Sequence, residues 1–218
     1  MDKENYKTTF TEDDSPGWSS IDSALEKIYG TQKPLIHYAP KLPPVIGGQG
    51  PDGVSLYLAD GYLHFISYGF SELHYNEESA GKEFSKWGFE LTFRLKIDTP
   101  VTQETAPRWP ISVMQNLYNY VNKSQRWFEP MQAIPVTDRP INLDVNLSES
   151  VITGLGFVED PKLKSIDTPH GRVQFIQMIG LTQSEAQHIK ADATQTSIII
   201  RKLGIENPLY ITDMKRGL

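Results

Sequence analysis

The chain has 218 residues, 39% of them hydrophobic and 22% charged, which suits one well-buried soluble domain and is short for two. A formal net charge of -6 works against binding a phosphate backbone, which needs clustered Lys and Arg. The absence of cysteine removes disulfides, thiolate nucleophiles, cysteine-held zinc and iron–sulfur clusters together.

Residues 1–14 are polar and without periodicity, so they are expected to form a disordered tail ahead of one domain over 15–218. The N-terminus has no apolar h-region and no run approaches a membrane span, which makes the cytoplasm the default location and gives no membrane partner. The sequons at Asn122 and Asn146 are then chance matches. SPGWSSIDSALEKIYG reads as a helix: Ser15 can cap it and Pro16 suits its first turn. Trp18, Ile21, Leu25 and Ile28 share one face, and Gly30 supplies the stop. Pro34 to Gly53 is rich in Pro and Gly and is expected to be irregular surface loop.

VSLYLADGYLHFISY carries Asp60-Gly61 between two alternating runs, a hairpin signal in which both turn residues are expected at positive φ. That turn sets Leu58 opposite Leu63 and Leu56 opposite Phe65. Val54, Leu56, Leu58, Leu63 and Phe65 then share one face, with Tyr57, His64, Ile66 and Tyr68 on the other. Neither face is polar, which predicts a place in the middle of a sheet covered on both sides. GFELTFRLKI sends Phe89, Leu91, Phe93, Leu95 and Ile97 one way and Glu90, Thr92, Arg94 and Lys96 the other, the pattern of a half-exposed strand.

WPISVMQNLYNYVNKS predicts a second helix whose polar stripe is Ser112, Gln115, Asn116, Asn119, Asn122 and Lys123. INLDVNL, VITGLGFV and RVQFIQMIG read as strands, the last entered through Pro169-His170-Gly171. Thr182 and Glu185 have capping-box spacing for a third helix. Residues 193–203 read both ways, since Ile198, Ile199 and Ile200 favour a strand. Arg201 and Lys202 ahead of Gly204 look like a helix ending, and helix is the expectation. The sum is an α+β domain with a largely antiparallel mixed sheet packed by helices.

Chemistry-bearing motifs are weak. Gly48, Gly50 and Gly53 spell G-x-G-x-x-G, but a Pro-rich loop precedes them and a strand follows, so a loop is expected rather than a dinucleotide site. GLGF at Gly154 to Phe157 reads as a bulged or closely packed strand. None of His37, His64, His74, His170 and His188 has metal-site spacing; His64 is expected as a packed sheet residue and His74 as a loop residue. No metal or cofactor is expected. Glu72 and Glu90 could approach across the 74–86 loop with Arg94 beside Glu90, a pair able to do acid–base work in a hydrolase. A structural network is the favoured reading, because no nucleophile, metal set or oxyanion loop accompanies them.

PGWSSIDSALEKIYG, DGVSLY, HFISYGFSEL, WGFELTFRL, WPISVMQNLYNYV, IDTPHGRVQFIQMIGLT and NPLYITD stand in an order and spacing that resemble the suppressor of fused domain family, from about Pro16 to Asp213. The resemblance implies a non-enzymatic protein-binding domain with that family's N-terminal-domain fold. In animal members a short peptide is clasped as an added β-strand between two domains; bacterial members are mostly stand-alone first domains, several proposed as immunity proteins against polymorphic toxins. This chain ends where the first domain would end and resembles the bacterial type. The partner implied is a protein, with a toxin as the leading candidate and a regulatory scaffold role as the alternative. By the same resemblance the loop from Glu72 to Glu83 faces the partner. Tyr68, Glu72, Tyr75, Glu90 and Arg94 are the candidate partner-binding residues.

Overall fold

The computed structural model describes residues 2–42, 48–143, 146 and 148–217. The Asp60-Gly61 turn organises its centre. Strands β2 (Gly53–Ala59) and β3 (Tyr62–Tyr68) pair antiparallel, with Leu58 opposite Leu63 and Leu56 opposite Phe65 as expected. Only Gly61 takes positive φ, at 78°; Asp60 does not, because one left-handed residue suffices to close this turn. A short edge strand β1 (Ile36–Tyr38) lies beside β2 inside the segment expected to be pure loop, while residues 43–47 of that segment lie outside the described residues.

From β3 the sheet continues through β4 (Phe84–Lys96), and then through three strands from later in the chain. With β5 (Ala133–Ile134), β6 (Ile152–Glu159), β7 (Ile166–Thr168) and β8 (Gly171–Thr182), the order is β1-β2-β3-β4-β8-β6-β5, and β7 pairs β8. The pairings are antiparallel except β4 with β8, so the sheet is mixed and the domain is α+β. Of the expected strand over 141–147, residues Ile141 to Leu143 form bends and a turn, while Asp144, Val145 and Leu147 lie outside the described residues.

Helix α2 (Pro16–Tyr29) covers one face and α3 (Trp109–Ser124) the other. The α3 face is the main core: Leu56, Phe65, Leu91, Phe93 and Phe157 pack against Met114, Leu117 and Val121. Each fully buried aromatic there contributes on the order of 2–3 kcal/mol of transfer free energy. Against α2, Ile21 and Leu25 meet Ile66, Tyr68 and Phe175. Helices α4 (Gln183–Ala191), opened by the expected Thr182–Glu185 capping box, and α5 (Gln195–Glu206) cover β6 and β8 through Ile189 and Ile200. Residues 195–206 are therefore helix: Ile200 packs inward while Ile198 is left 57% exposed.

Three further expectations change. The residues expected as a disordered tail include helix α1 (Lys3–Thr9), capped by Asp2 and anchored by fully buried Tyr6, a tertiary contact that local polarity hides. Ser15 does not cap α2; its hydroxyl bonds to His74 Nδ1 at 3.0 Å instead. The polar side of β4 is not half-exposed, for Glu90, Thr92 and Arg94 are all fully buried. Alternation reports which residues share a face; it does not report whether that face meets water, and here α2 and a turn after β6 close over it.

Candidate partner-binding site

At the end of β3 the chain turns around a single carboxylate. Glu90 Oε1 accepts from Gly69 N (2.9 Å), Ser71 N (2.9 Å) and Ser71 Oγ (2.6 Å), and Oε2 accepts from Ser67 Oγ (2.6 Å). Ser67 Oγ in turn accepts from Leu91 N, so the hydroxyl stitches β3 to β4. Gly69 takes φ +125°, and a Cβ there would stand 2.6 Å from the Asp52 carboxylate, so only glycine fits the turn. Burial pushes the Glu90 carboxyl upward, and its hydroxyl and N–H donors oppose that rise. Both oxygens are occupied by protein donors, which makes Glu90 the knot of the SYGFSEL turn.

Four residues further along β4, on the same face, Arg94 forms a bidentate pair with Asp160, Nη1 to Oδ2 at 2.8 Å and Nη2 to Oδ1 at 2.9 Å. Thr92 Oγ1 also donates to Asp160, and Arg94 Nη1 donates to Gln177 Oε1. Asp160 Oδ1 accepts from Lys162 N and Leu163 N, and Gln177 Nε2 donates to the Leu209 and Tyr210 carbonyls. Burial alone would raise Asp160, but its bonds to His64 and Arg94 outweigh burial and hold it well below the usual carboxylate range. Burial brings His64 down to about 4, so at neutral pH it is uncharged and Arg94 supplies the counter-charge. Tyr29 OH meets His64 Nδ1 at 2.7 Å, and His64 Nε2 lies 3.4 Å from Asp160. This arrangement locks β3, β4, β8, the turn after β6 and the C-terminal segment together.

These two assemblies correct the candidate set. Glu90 and Arg94 are 0% exposed and offer no surface to a partner. Tyr68 is nearly buried, stacks on Trp18 and donates to Asp22. Glu72 and Tyr75 are half-buried; Glu72 accepts from Asn76 Nδ2 at 2.8 Å, and Tyr75 donates to Glu77 at 2.7 Å. Glu72 and Glu90 share no hydrogen bond, the first turning to the loop and the second into the sheet. Helix α1 lies over this loop: Lys7 pairs with Glu77 at 2.7 Å and Lys3 with Glu78 at 3.4 Å. Tyr6 OH meets His170 Nε2 at 2.7 Å and accepts from Asn76 N.

The loop ends in an exposed aromatic cleft that the sequence reading did not single out. The β4–β8 register jumps from Phe84 opposite Arg172 to Phe89 opposite Gln174, so residues 85–88 bulge against Val173 alone. Lys86 and Gly88 adopt positive φ in this bulge, at 54° and 78°. The bulge leaves a cleft of about 400 Å³ lined by Phe84, Trp87, Trp127, Phe128 and Ile176. Phe84 is 49% and Trp127 55% exposed. Lys86 Nζ sits 4.6 Å from the Trp87 ring centroid and donates to Gly69 O, tying the cleft to the Glu90 turn. The only signal in the sequence was the spacing of aromatics in KEFSKWGF and QRWFEP across two turn-rich segments. Among the described residues no three His, Asp or Glu side chains gather as a metal set.

The family model described as Suppressor of fused protein (SUFU) matches residues 50–217. The Suppressor of fused homologs of Homo sapiens and Mus musculus are each 33% identical over 187 residues, which is 79% of this chain and 37% of theirs. The chain thus spans little more than a third of the curated relatives it matches. A crystal structure of the Sufu-Fu complex superposes with a TM-score of 0.79 at 27% identity, over 94% of this chain and 92% of that one. Drosophila Suppressor of Fused gives 0.78 at 27% identity, over 95% of this chain and 52% of that one. With the sheet order, the Glu90 turn and the β4 register in place, these matches establish that the chain belongs to the suppressor of fused family.

Proposed function

We propose that the chain is a non-enzymatic protein-binding module that receives its partner at the cleft where the Glu72–Glu83 loop meets the β4 bulge. The exposed pair of Phe84 and Trp127 carries this reading. Soluble proteins seldom leave large aromatics gathered in one cleft without something to cover them, and aromatic side chains are enriched at interface centres. A relative that forms a complex with Fu supports a protein as the class of partner. Glu72 and Tyr75 stay partner-facing candidates on the loop that leads into the cleft, where Glu72 N donates to Ser85 Oγ of the bulge. The finer reading is a bacterial immunity protein that neutralises a cognate toxin by occlusion, in the cytoplasm; a regulatory scaffold is the second reading. Mild acidity suits a basic partner. Against a hydrolase built on Glu72 and Glu90, the buried Glu90 carboxylate is bonded at both oxygens by Ser67, Gly69 and Ser71, which supports the non-enzymatic reading.

Affinity capture from the native organism, with stoichiometry measured by mass spectrometry, tests the reading. One stoichiometric protein supports it, and a captured protein whose toxic activity is abolished by an equimolar amount of this chain supports the immunity form. Capture of nothing above background across growth conditions would sink both.

A further inference from the structure

Helix α2 turns one stripe toward an open groove of about 820 Å³ beside the β1–β2 edge of the sheet. Trp18, Asp22 and Glu26 stand at i, i+4 and i+8, and all three line it. From the sheet come His37, Tyr57 and Tyr68. Trp18 and Tyr68 stack with centroids 4.5 Å apart and planes at 24°, and His37 meets Tyr68 edge-on at 5.7 Å. These rings form an aromatic wall. None of these residues belongs to the Phe84–Trp127 cleft.

The two carboxylates in the groove keep acceptor oxygens that no protein donor among the described residues fills. Tyr68 OH donates to Asp22 Oδ1 at 2.9 Å. Among the described residues neither Asp22 Oδ2 nor the Glu26 carboxylate has a hydrogen-bond or ion-pair partner. Like charges one helical turn apart repel and weaken the helix that carries them, unless a cation stands between them. Tyr57 adds an independent observation. It is only 7% exposed, stacks on Tyr29 at 4.2 Å and lines the groove, and among the described residues its hydroxyl has no hydrogen-bond partner. Burial first, and then the Asp22 and Glu26 carboxylates, push its phenol upward. Lys33 also lines the groove but pairs with neither carboxylate, so the site is not closed by an internal salt bridge.

We propose that this groove binds an arginine side chain presented by a protein partner, its guanidinium against Trp18, which buried Tyr68 backs, and its N–H donors on Asp22, Glu26 and Tyr57. A guanidinium brings donors to the open oxygens of Asp22 and Glu26, is planar and weakly hydrated, and stacks on aromatic rings. An ammonium is a strongly hydrated point charge and makes poor use of the wall. An anion would meet two carboxylates.

Titration of the intact protein with a capped Gly-Arg-Gly peptide, followed by backbone and indole N–H NMR, tests this directly. The expected result is saturable shifts centred on Trp18, Asp22 and Tyr57 that diminish with added salt. Glu26→Gln should weaken binding about threefold to tenfold without lowering the melting temperature, because Glu26 is exposed and unpaired and its charge repels Asp22. Equal binding of the Gly-citrulline-Gly or Gly-Lys-Gly peptide, shifts confined to other residues, or an unaltered affinity in Glu26→Gln would each overturn the assignment. Failure of the aromatic-cleft reading leaves this test intact, because its probe is a defined peptide.

Discussion

The middle and the beginning of β4 carry opposite solutions to the same problem. In the middle, Glu90 and Arg94 are fully buried: both Glu90 oxygens accept from protein donors, and both Arg94 Nη groups donate to Asp160 or Gln177, while Arg94 Nε has no partner among the described residues. At the beginning, residues 85–88 bulge away from β8 and large aromatics stand in water. The residues with the more suggestive chemistry are structural, and those with bland chemistry are the ones available to a partner. The two buried carboxylates sharpen the contrast. Asp160 faces a full positive charge and is held low, whereas Glu90 faces neutral donors and burial moves it up.

The largest effect is expected at the charged pair. Asp160→Asn leaves the Arg94 guanidinium buried without its counter-charge and should cost about 3–5 kcal/mol in urea unfolding. A loss under about 1 kcal/mol would show that Arg94 is neutralised some other way. Glu90→Gln keeps one accepting oxygen but turns an amide toward Ser67, and should cost about 1–3 kcal/mol.

Their pH dependences should run in opposite directions. The folded-state pKa of Asp160 lies below its ordinary 3.8, so its contribution is complete above that value and is lost as pH falls through the folded pKa. The Asp160→Asn penalty therefore shrinks on acidification. That of Glu90 lies above its ordinary 4.5, so the fold favours the protonated form, and wild type loses that advantage as pH rises through the folded pKa. The Glu90→Gln penalty therefore shrinks as pH rises. Parallel slopes in unfolding experiments between about pH 3 and about pH 7 would contradict the contrast.

The smallest effect belongs to α1. Tyr6→Phe removes the hydroxyl that serves His170 and Asn76, and should cost about 1 kcal/mol, read as faster amide exchange confined to α1 and the 74–80 loop. Protection unchanged at both would show that the Lys3 and Lys7 ion pairs suffice to hold the helix.

Much of the frame was legible because it rests on local signals. The hairpin register followed from Asp60-Gly61, the α4 start from Thr182 and Glu185, and the tight packing of β6 from Gly154 and Gly156. The lost pieces depend on partners distant in the chain. Tyr6 anchors α1 through His170, 164 residues away, and Arg94 is buried by Asp160, 66 residues away. Periodicity cannot encode such pairs. The cleft was missed for the same reason: Phe84 and Trp127 come from separate turn-rich segments, and only the β4 bulge brings them together.

The most direct test of the central claim compares wild type with Trp127→Ala as baits for the captured partner, with thermal melting recorded on the same samples. The account predicts a melting temperature within about 2 °C of wild type, since an exposed side chain supports little of the fold, together with loss of the partner. Retention of the partner at wild-type stoichiometry by the folded variant would contradict it.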